Sequence, residues 1–293
     1  MDVNVRTISM ENGRKIRILE AGQLDGIPVL EHHGTPGSRL LYEAWIEDAK
    51  SRGIRLIGYD RPGYGGSTPH PGRNVASAAE DVAAIAKELN LRRLFVWGHS
   101  GGGPHALACA ALLPDLVAAV AALSSPAPYM TSGLDWFAGM GEGNIAEFGA
   151  ALKGRESLQQ FVEEAAPGLL DADPLTLVQA LHSLLSPVDF TALTEEFASF
   201  VLNCFREGIK ERRDGWVDDD IAFTTPWGFE LNKIRIPVLL MHGEQDQMVP
   251  FSHGKWLASK IPGVETRFLA SDGHITLAAH RIPEVHSWLL SKL

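Results

Sequence analysis

The chain has 293 residues, enough for one large α/β domain or for a domain carrying an insertion. Its 45% hydrophobic content is ordinary for a globular protein with a substantial core. The net charge of −10, with no run of Lys and Arg longer than a pair, argues against nucleic acid as a partner. No charged-then-apolar leader precedes Asp2-Val3-Asn4 and no apolar run reaches transmembrane length, so a soluble, cytoplasmic protein without a membrane partner is expected. Cys109 and Cys204 lie far apart in helix-like stretches and read as buried free thiols.

Val3–Ile8 and Lys15–Glu20 read as short strands joined by a turn at Asn12-Gly13. A third strand, Pro28–His32, ends at His33-Gly34-Thr35-Pro36-Gly37. Arg39–Lys50 has helical spacing, and Ile54–Tyr59 is a buried strand. That strand runs into Asp60-Arg61-Pro62-Gly63-Tyr64-Gly65-Gly66-Ser67, too rich in Gly and Pro to be regular. Val75–Leu89 is a helix with Val82, Ile85, Ala86 and Leu89 on one face.

The apolar run Leu94-Phe95-Val96-Trp97 then stops at Gly98-His99-Ser100-Gly101-Gly102 and gives way to a small-residue helix pattern over Ala106–Leu113. Strand, sharp turn and helix is the context that a nucleophile elbow requires. A serine on such a turn leaves no room for Cβ atoms two residues to either side, which accounts for the glycines. The turn holds Oγ clear of the backbone and places the Gly101 amide at a helix N-terminus, facing a developing oxyanion. The competing reading is a tight turn with an idle serine. Val117–Leu123 follows as an apolar strand, and strands apolar on both faces alternating with helices imply a parallel sheet covered on two sides.

From about residue 127 to 232 only helices are expected: Asn144–Leu152, Glu156–Ala166, Pro174–Leu185 and Thr191–Arg212. A helical block between two strands of one sheet is an insertion, and over a catalytic edge it would serve as a lid. The division is therefore a core of residues 1–126 and 233–293 with a helical cap of 127–232. Between Gly133 and Thr225 there are 17 Asp and Glu against 6 Lys and Arg, a net of −11. These acids, the Asp218-Asp219-Asp220 run included, read as a solvated outer face. Strands resume at Ile236–Met241 and Val264–Leu269, with helices at Ser252–Lys260 and Pro283–Leu290.

A serine hydroxyl needs a base, and the base needs an orienting carboxylate. Both are sought at strand ends after the insertion. One strand ends in His242-Gly243-Glu244-Gln245-Asp246 and the next in Ala270-Ser271-Asp272-Gly273-His274. Ser100, Asp246 and His274 then fall in the order Ser, Asp, His, each on a loop at the carboxyl edge of a parallel strand. Glu244 is the rival acid, and Asp246 is preferred because Val249-Pro250 follows it. His99 and His242 read as satisfying local hydrogen bonds. The second oxyanion donor is expected on the loop after the third strand, at the backbone N–H of Thr35 beside that of Gly101.

With these motifs the chain resembles the α/β-hydrolase superfamily over nearly its whole length. The resemblance is carried by His33–Gly37, Asp60–Ser67, Gly98–Gly102, Gly243–Asp246 and Gly273-His274. It implies a mostly parallel eight-stranded sheet with helices on both faces and a helical cap. It also implies Ser100 as nucleophile, His274 as base and then acid, Asp246 as orienter, and Thr35 with Gly101 as oxyanion hole. Ser100 stands where epoxide hydrolases and haloalkane dehalogenases place an aspartate. Proline iminopeptidases usually read His-Gly-Gly-Pro-Gly and carry a tryptophan after the serine, positions held here by Thr35 and Gly101. Asp272 has no assignable role.

The expected function is a serine hydrolase of carboxylic esters or lactones of small to medium size, acting on a small-molecule substrate without metal or cofactor. An aminopeptidase of the proline-iminopeptidase kind, a carbon–carbon hydrolase and a slow-turnover receptor remain alternatives. Trp136, Phe137, Trp216 and Trp227 are the candidates for a substrate pocket, and most cap aromatics should be core. If the cap's acids are solvated, uncharged acyl groups should be preferred over substrates with a free amine.

Overall fold

The structure is a computed structural model, and it describes residues 3–293. Eight strands form one sheet: β1 (Asn4–Ser9), β2 (Lys15–Gly22), β3 (Ile27–His32), β4 (Ile54–Tyr59), β5 (Leu94–His99), β6 (Val117–Leu123), β7 (Val238–Gly243) and β8 (Glu265–Leu269). Their order across the sheet is β1-β2-β4-β3-β5-β6-β7-β8. The strands β4, β3 and β5 to β8 run parallel to one another, while β2 is antiparallel to both β1 and β4. The mostly parallel eight-stranded sheet expected from the sequence is therefore present, with a hairpin at one edge.

Alternation along the strands divides the core in two. Val29, Leu56, Phe95, Trp97 and Leu239 face one side, where α1 (Glu43–Ser51) packs. Leu30, Ile57, Val96 and Leu240 face the other, against α2 (Ala78–Glu88) and α3 (Gly102–Leu112). The carboxyl of Glu31 is the exception on β3, only 3% exposed.

Between β6 and β7 lie six helices: α4 (Glu142–Lys153), α5 (Arg155–Leu170), α6 (Pro174–Ala180), α7 (Pro187–Ala192), α8 (Glu195–Ile209) and α9 (Asp214–Thr224). The core then closes with α10 (Phe251–Lys260), α11 (Ile275–His280) and α12 (Ile282–Leu290). Three of these, α7, α9 and α11, were not expected. The six residues of α7 are too few for a helical period to show, and α9 and α11 are largely buried, so neither shows the one-sided apolar stripe by which a surface helix is recognised.

The structure also corrects the reading of the acidic run. Asp218, Asp219 and Asp220 lie on α9 and are 3%, 0% and 1% exposed. They do not solvate an outer face. They turn inward because α9 lies against the loop after β4: the Gly215 amide donates to the Gly63 carbonyl at 3.1 Å, and the Tyr64 ring covers Gly215 so closely that no Cβ would fit.

Candidate active site

Ser100 sits between β5 and α3 with φ of +55°, a left-handed conformation that costs energy for a residue with a Cβ. The turn closes on itself as the Ser100 amide donates to Leu123 O at 2.9 Å and the Gly103 amide to Ser100 O at 2.9 Å. A Cβ at Gly98 would strike the Gly102 carbonyl, and one at Gly102 would strike the His32 carbonyl. Both glycines are thus required by close backbone approach.

His274 follows β8 on a loop, and its Nδ1 donates to Asp246 Oδ2 at 2.8 Å. Asp246 Oδ1 accepts from the amides of Met248 and Val249 at 2.9 and 2.8 Å, so the carboxylate cannot swing. Glu244 on the same loop is exposed. Burial alone would lower the His274 pKa, but the adjacent Asp246 outweighs it and raises the value above the ordinary 6.5. Burial acts the opposite way on Asp246, and His274 nevertheless holds its carboxyl below the usual range. Ser100 and His274 line the same cavity. Among the described residues the Ser100 hydroxyl makes no hydrogen bond to His274, whose Nδ1 is taken by Asp246.

His99 donates from Nε2 to the His274 carbonyl at 2.9 Å, and His242 from Nε2 to the Val249 carbonyl at 2.8 Å. Burial, before any charge, pushes His99 down to about 3 and lowers His242, so both stay neutral and brace the two loops. Asp272 acquires a place as well. Its side chain pairs with Arg281 at 2.9 Å while its carbonyl accepts from the Gln245 amide, tying the loops of His274 and Asp246 together.

Sequence reasoning missed Asp189. This fully buried carboxylate of α7 accepts from the amides of His274, Ile275 and Thr276 at 2.9, 2.7 and 3.1 Å. It caps α11 from 85 residues away and fixes the backbone of His274. No local pattern announces a cap delivered from another segment.

Asp219 was missed for the same reason. Its carboxylate accepts from Thr35 Oγ1 at 2.8 Å, Tyr64 Oη at 2.8 Å and Arg61 Nη2 at 2.6 Å, and pairs with Arg73 at 2.7 Å. Arg61 in turn donates to the carbonyls of His33 and Gly34 and to Thr35 Oγ1. Burial would raise the Asp219 pKa, but the two guanidiniums hold it well below the carboxylate range. An anchored loop carrying Thr35 results, close against Gly101, where a Cβ would strike the Thr35 side chain.

Ser100 stands where two cavities meet. The larger, about 370 Å³, is walled by Phe161, Leu169, Leu181, Phe197, Phe200 and Val201 from the inserted helices. Glu31, Ser38 and Cys204 interrupt that apolar wall, and burial pushes the Glu31 pKa up to about 8. The smaller, about 40 Å³, is shared by Thr35, Ser100, Gly101, Trp136, Glu147 and Asp220. Of the expected pocket aromatics, Trp216 lines the larger cavity and Trp136 the smaller. Phe137 packs on Trp136 and Tyr129 instead, and Trp227 is buried in the core beneath α3. Both cysteines are free thiols, Cys109 buried and Cys204 half-buried. No helix among the described residues is long and apolar enough to cross a membrane.

Comparison with known proteins bears on this geometry. A non-heme chloroperoxidase of Streptomyces lividans is 29% identical over 84% of this chain and 84% of its own. A bifunctional esterase/perhydrolase of Acinetobacter calcoaceticus is 29% identical over 83% of each. A thermophilic esterase of Thermogutta terrifontis superposes with a TM-score of 0.67 at 21% identity, covering 100% of this chain and 99% of that one, a likeness of fold. The family described as alpha/beta hydrolase fold matches residues 27–280, from the start of β3 to the end of α11, and the chain belongs to it.

Proposed function

We propose that the protein is a serine hydrolase that cleaves carboxylic esters through an acyl-enzyme. The observation that carries this reading is the single cavity shared by Ser100 on its strained turn and by His274 with Nδ1 committed to Asp246. His274 Nε2 takes the Ser100 proton as Oγ attacks the ester carbonyl, and Asp246 stabilises the imidazolium formed. The amides of Thr35 and Gly101 receive the oxyanion. The alcohol leaves with the proton from His274, and water activated by the same nitrogen releases the acid. The larger cavity, mostly apolar and about 370 Å³, suits an acyl chain of short to medium length. The esterase named among the relatives supports the ester over other acyl substrates.

A panel of aryl esters with acyl chains of two to twelve carbons, run beside Ser100→Ala, tests the reading. Wild-type kcat/KM should pass through a maximum within the panel, and Ser100→Ala should lose about 10⁴-fold in kcat. Hydrolysis by Ser100→Ala at the wild-type rate would overturn the proposal.

A further inference from the structure

The smaller cavity beside Ser100 holds two acids that the hydrolytic steps do not use. Asp220 is 1% exposed, and neither of its carboxyl oxygens meets an N–H or hydroxyl donor among the described residues; the group it faces is the Glu147 carboxyl, with which it shares a proton. Glu147 of α4 faces it across the helix contact and accepts from the Trp216 indole. Burial, and then Glu147, pushes the Asp220 pKa well above the carboxylate range, and burial raises Glu147 too.

The cations nearby are already engaged. Arg61 and Arg73 bind Asp219, and Arg155 binds Asp218 at 2.5 Å. Among the described residues neither Glu147 nor Asp220 has an ion pair. A buried and a half-buried carboxyl held face to face without a counter-ion cannot both ionise without cost. The cost is removed when a cation arrives with a ligand. Room exists for one: the cavity's volume of about 40 Å³ exceeds the ~10–15 Å³ that a single water needs. The same cavity wall includes Thr35, Ser100 and Gly101, so a group held by the acids sits beside the carbonyl under attack.

We infer that Glu147 and Asp220 form an ammonium subsite, and that the substrate's acyl group carries a free amine close to its scissile carbonyl. This rests on Ser100 being the nucleophile, and it narrows the ester reading to amino-acyl substrates whose side chain enters the larger cavity. The premise that favoured uncharged acyl groups was the solvation of the Asp218–Asp220 run, and burial of that run removes it.

The test compares 4-nitrophenyl esters of hexanoic acid, 2-aminohexanoic acid and N-acetyl-2-aminohexanoic acid. Each kcat/KM is divided by its uncatalysed rate, because an α-ammonium activates its own ester. The amino ester should exceed the hexanoyl ester at least tenfold, and acetylation should abolish the advantage. Asp220→Asn and Glu147→Gln should each cut the ratio of amino to hexanoyl ester at least tenfold. Calorimetry on Ser100→Ala, with the acids intact, should show 2-aminohexanamide binding at least tenfold tighter than hexanamide. A wild-type ratio of one or less, or equal binding of the two amides, overturns the inference and leaves the small cavity to water. If the acid variants do not fold, the wild-type ratio and the amide comparison decide alone. Loss of the serine reading would show separately, as undiminished hydrolysis of all three esters by Ser100→Ala.

Discussion

Glu244 and Asp246 are two residues apart, and the fold gives them opposite environments. Glu244 is exposed, whereas Asp246 is buried, held by two amides and bonded to His274. Asp246→Asn keeps the shape but removes the charge proposed to stabilise the imidazolium, so kcat should fall by about 10³–10⁴-fold. Glu244→Gln should stay within about twofold, as befits a surface side chain with no role in the site. Steady-state kinetics of the two variants on one ester decide the assignment, and the reverse pattern would reject it. The pH profile belongs to the same residues. In the proposed mechanism the base must be neutral to accept the Ser100 proton, so activity should rise as His274 deprotonates. Because Asp246 raises its pKa despite burial, the acid limb of kcat/KM should lie above the 6.5 of an ordinary histidine. In Asp246→Asn that support is gone and burial dominates, so the residual activity should titrate at lower pH.

At the scale of elements, α9 is the part that joins the inserted helices to the sheet edge that carries Ser100. Through Asp219 it meets the loops after β3 and β4 at once, and the Thr35 hydroxyl, Tyr64 and two arginines converge on one carboxylate. Removing that charge leaves Arg61 and Arg73 buried without their shared partner, a loss of about 3–5 kcal/mol for broken buried pairs. Asp219→Asn should therefore lower stability by an amount of that order, measured by urea unfolding. It should also reduce kcat more than it raises KM if, as proposed, the Thr35 amide serves the transition state rather than the bound ester. An effect on stability with unchanged kcat would mean that the Thr35 loop holds its shape without α9. The α7 cap acts similarly on the other side, where Asp189 anchors the start of α11 and with it the His274 backbone.

Across the whole molecule, the inserted helices share both hydrophobic cores with the sheet. Leu177, Leu185, Phe197 and Leu202 belong to one continuous cluster with Trp45, Trp97 and Leu239, and Phe223 and Trp227 join the cluster on the opposite face. A third cluster lies within the insertion and takes in Tyr64 from the sheet's own loop. Apolar contact this extensive couples the insertion to the sheet, so unfolding should be cooperative. Far-UV circular dichroism and tryptophan fluorescence should report the same urea midpoint. Two separated midpoints would show that the inserted helices melt alone, as a loosely hinged lid would.

What the sequence determined by itself is what depends on short stretches of chain. The strand–elbow–helix at Ser100 was legible because its glycines answer local steric demands, and β3 to β7 were legible as largely apolar runs ended by loops. Glu244 and Asp246 differed in sequence only by the Val-Pro that follows, and burial is what separates them. What only the tertiary structure decided is where polar groups far apart in the chain meet. Asp189 reaches His274 across 85 residues, and Asp219 reaches Thr35 across 184. The run Asp218-Asp219-Asp220 looks the same in the alphabet whether it faces water or arginines. A charge is solvated or buried according to what packs against it, and α9 acquires its arginines only once the sheet has brought β3 and β4 beneath it.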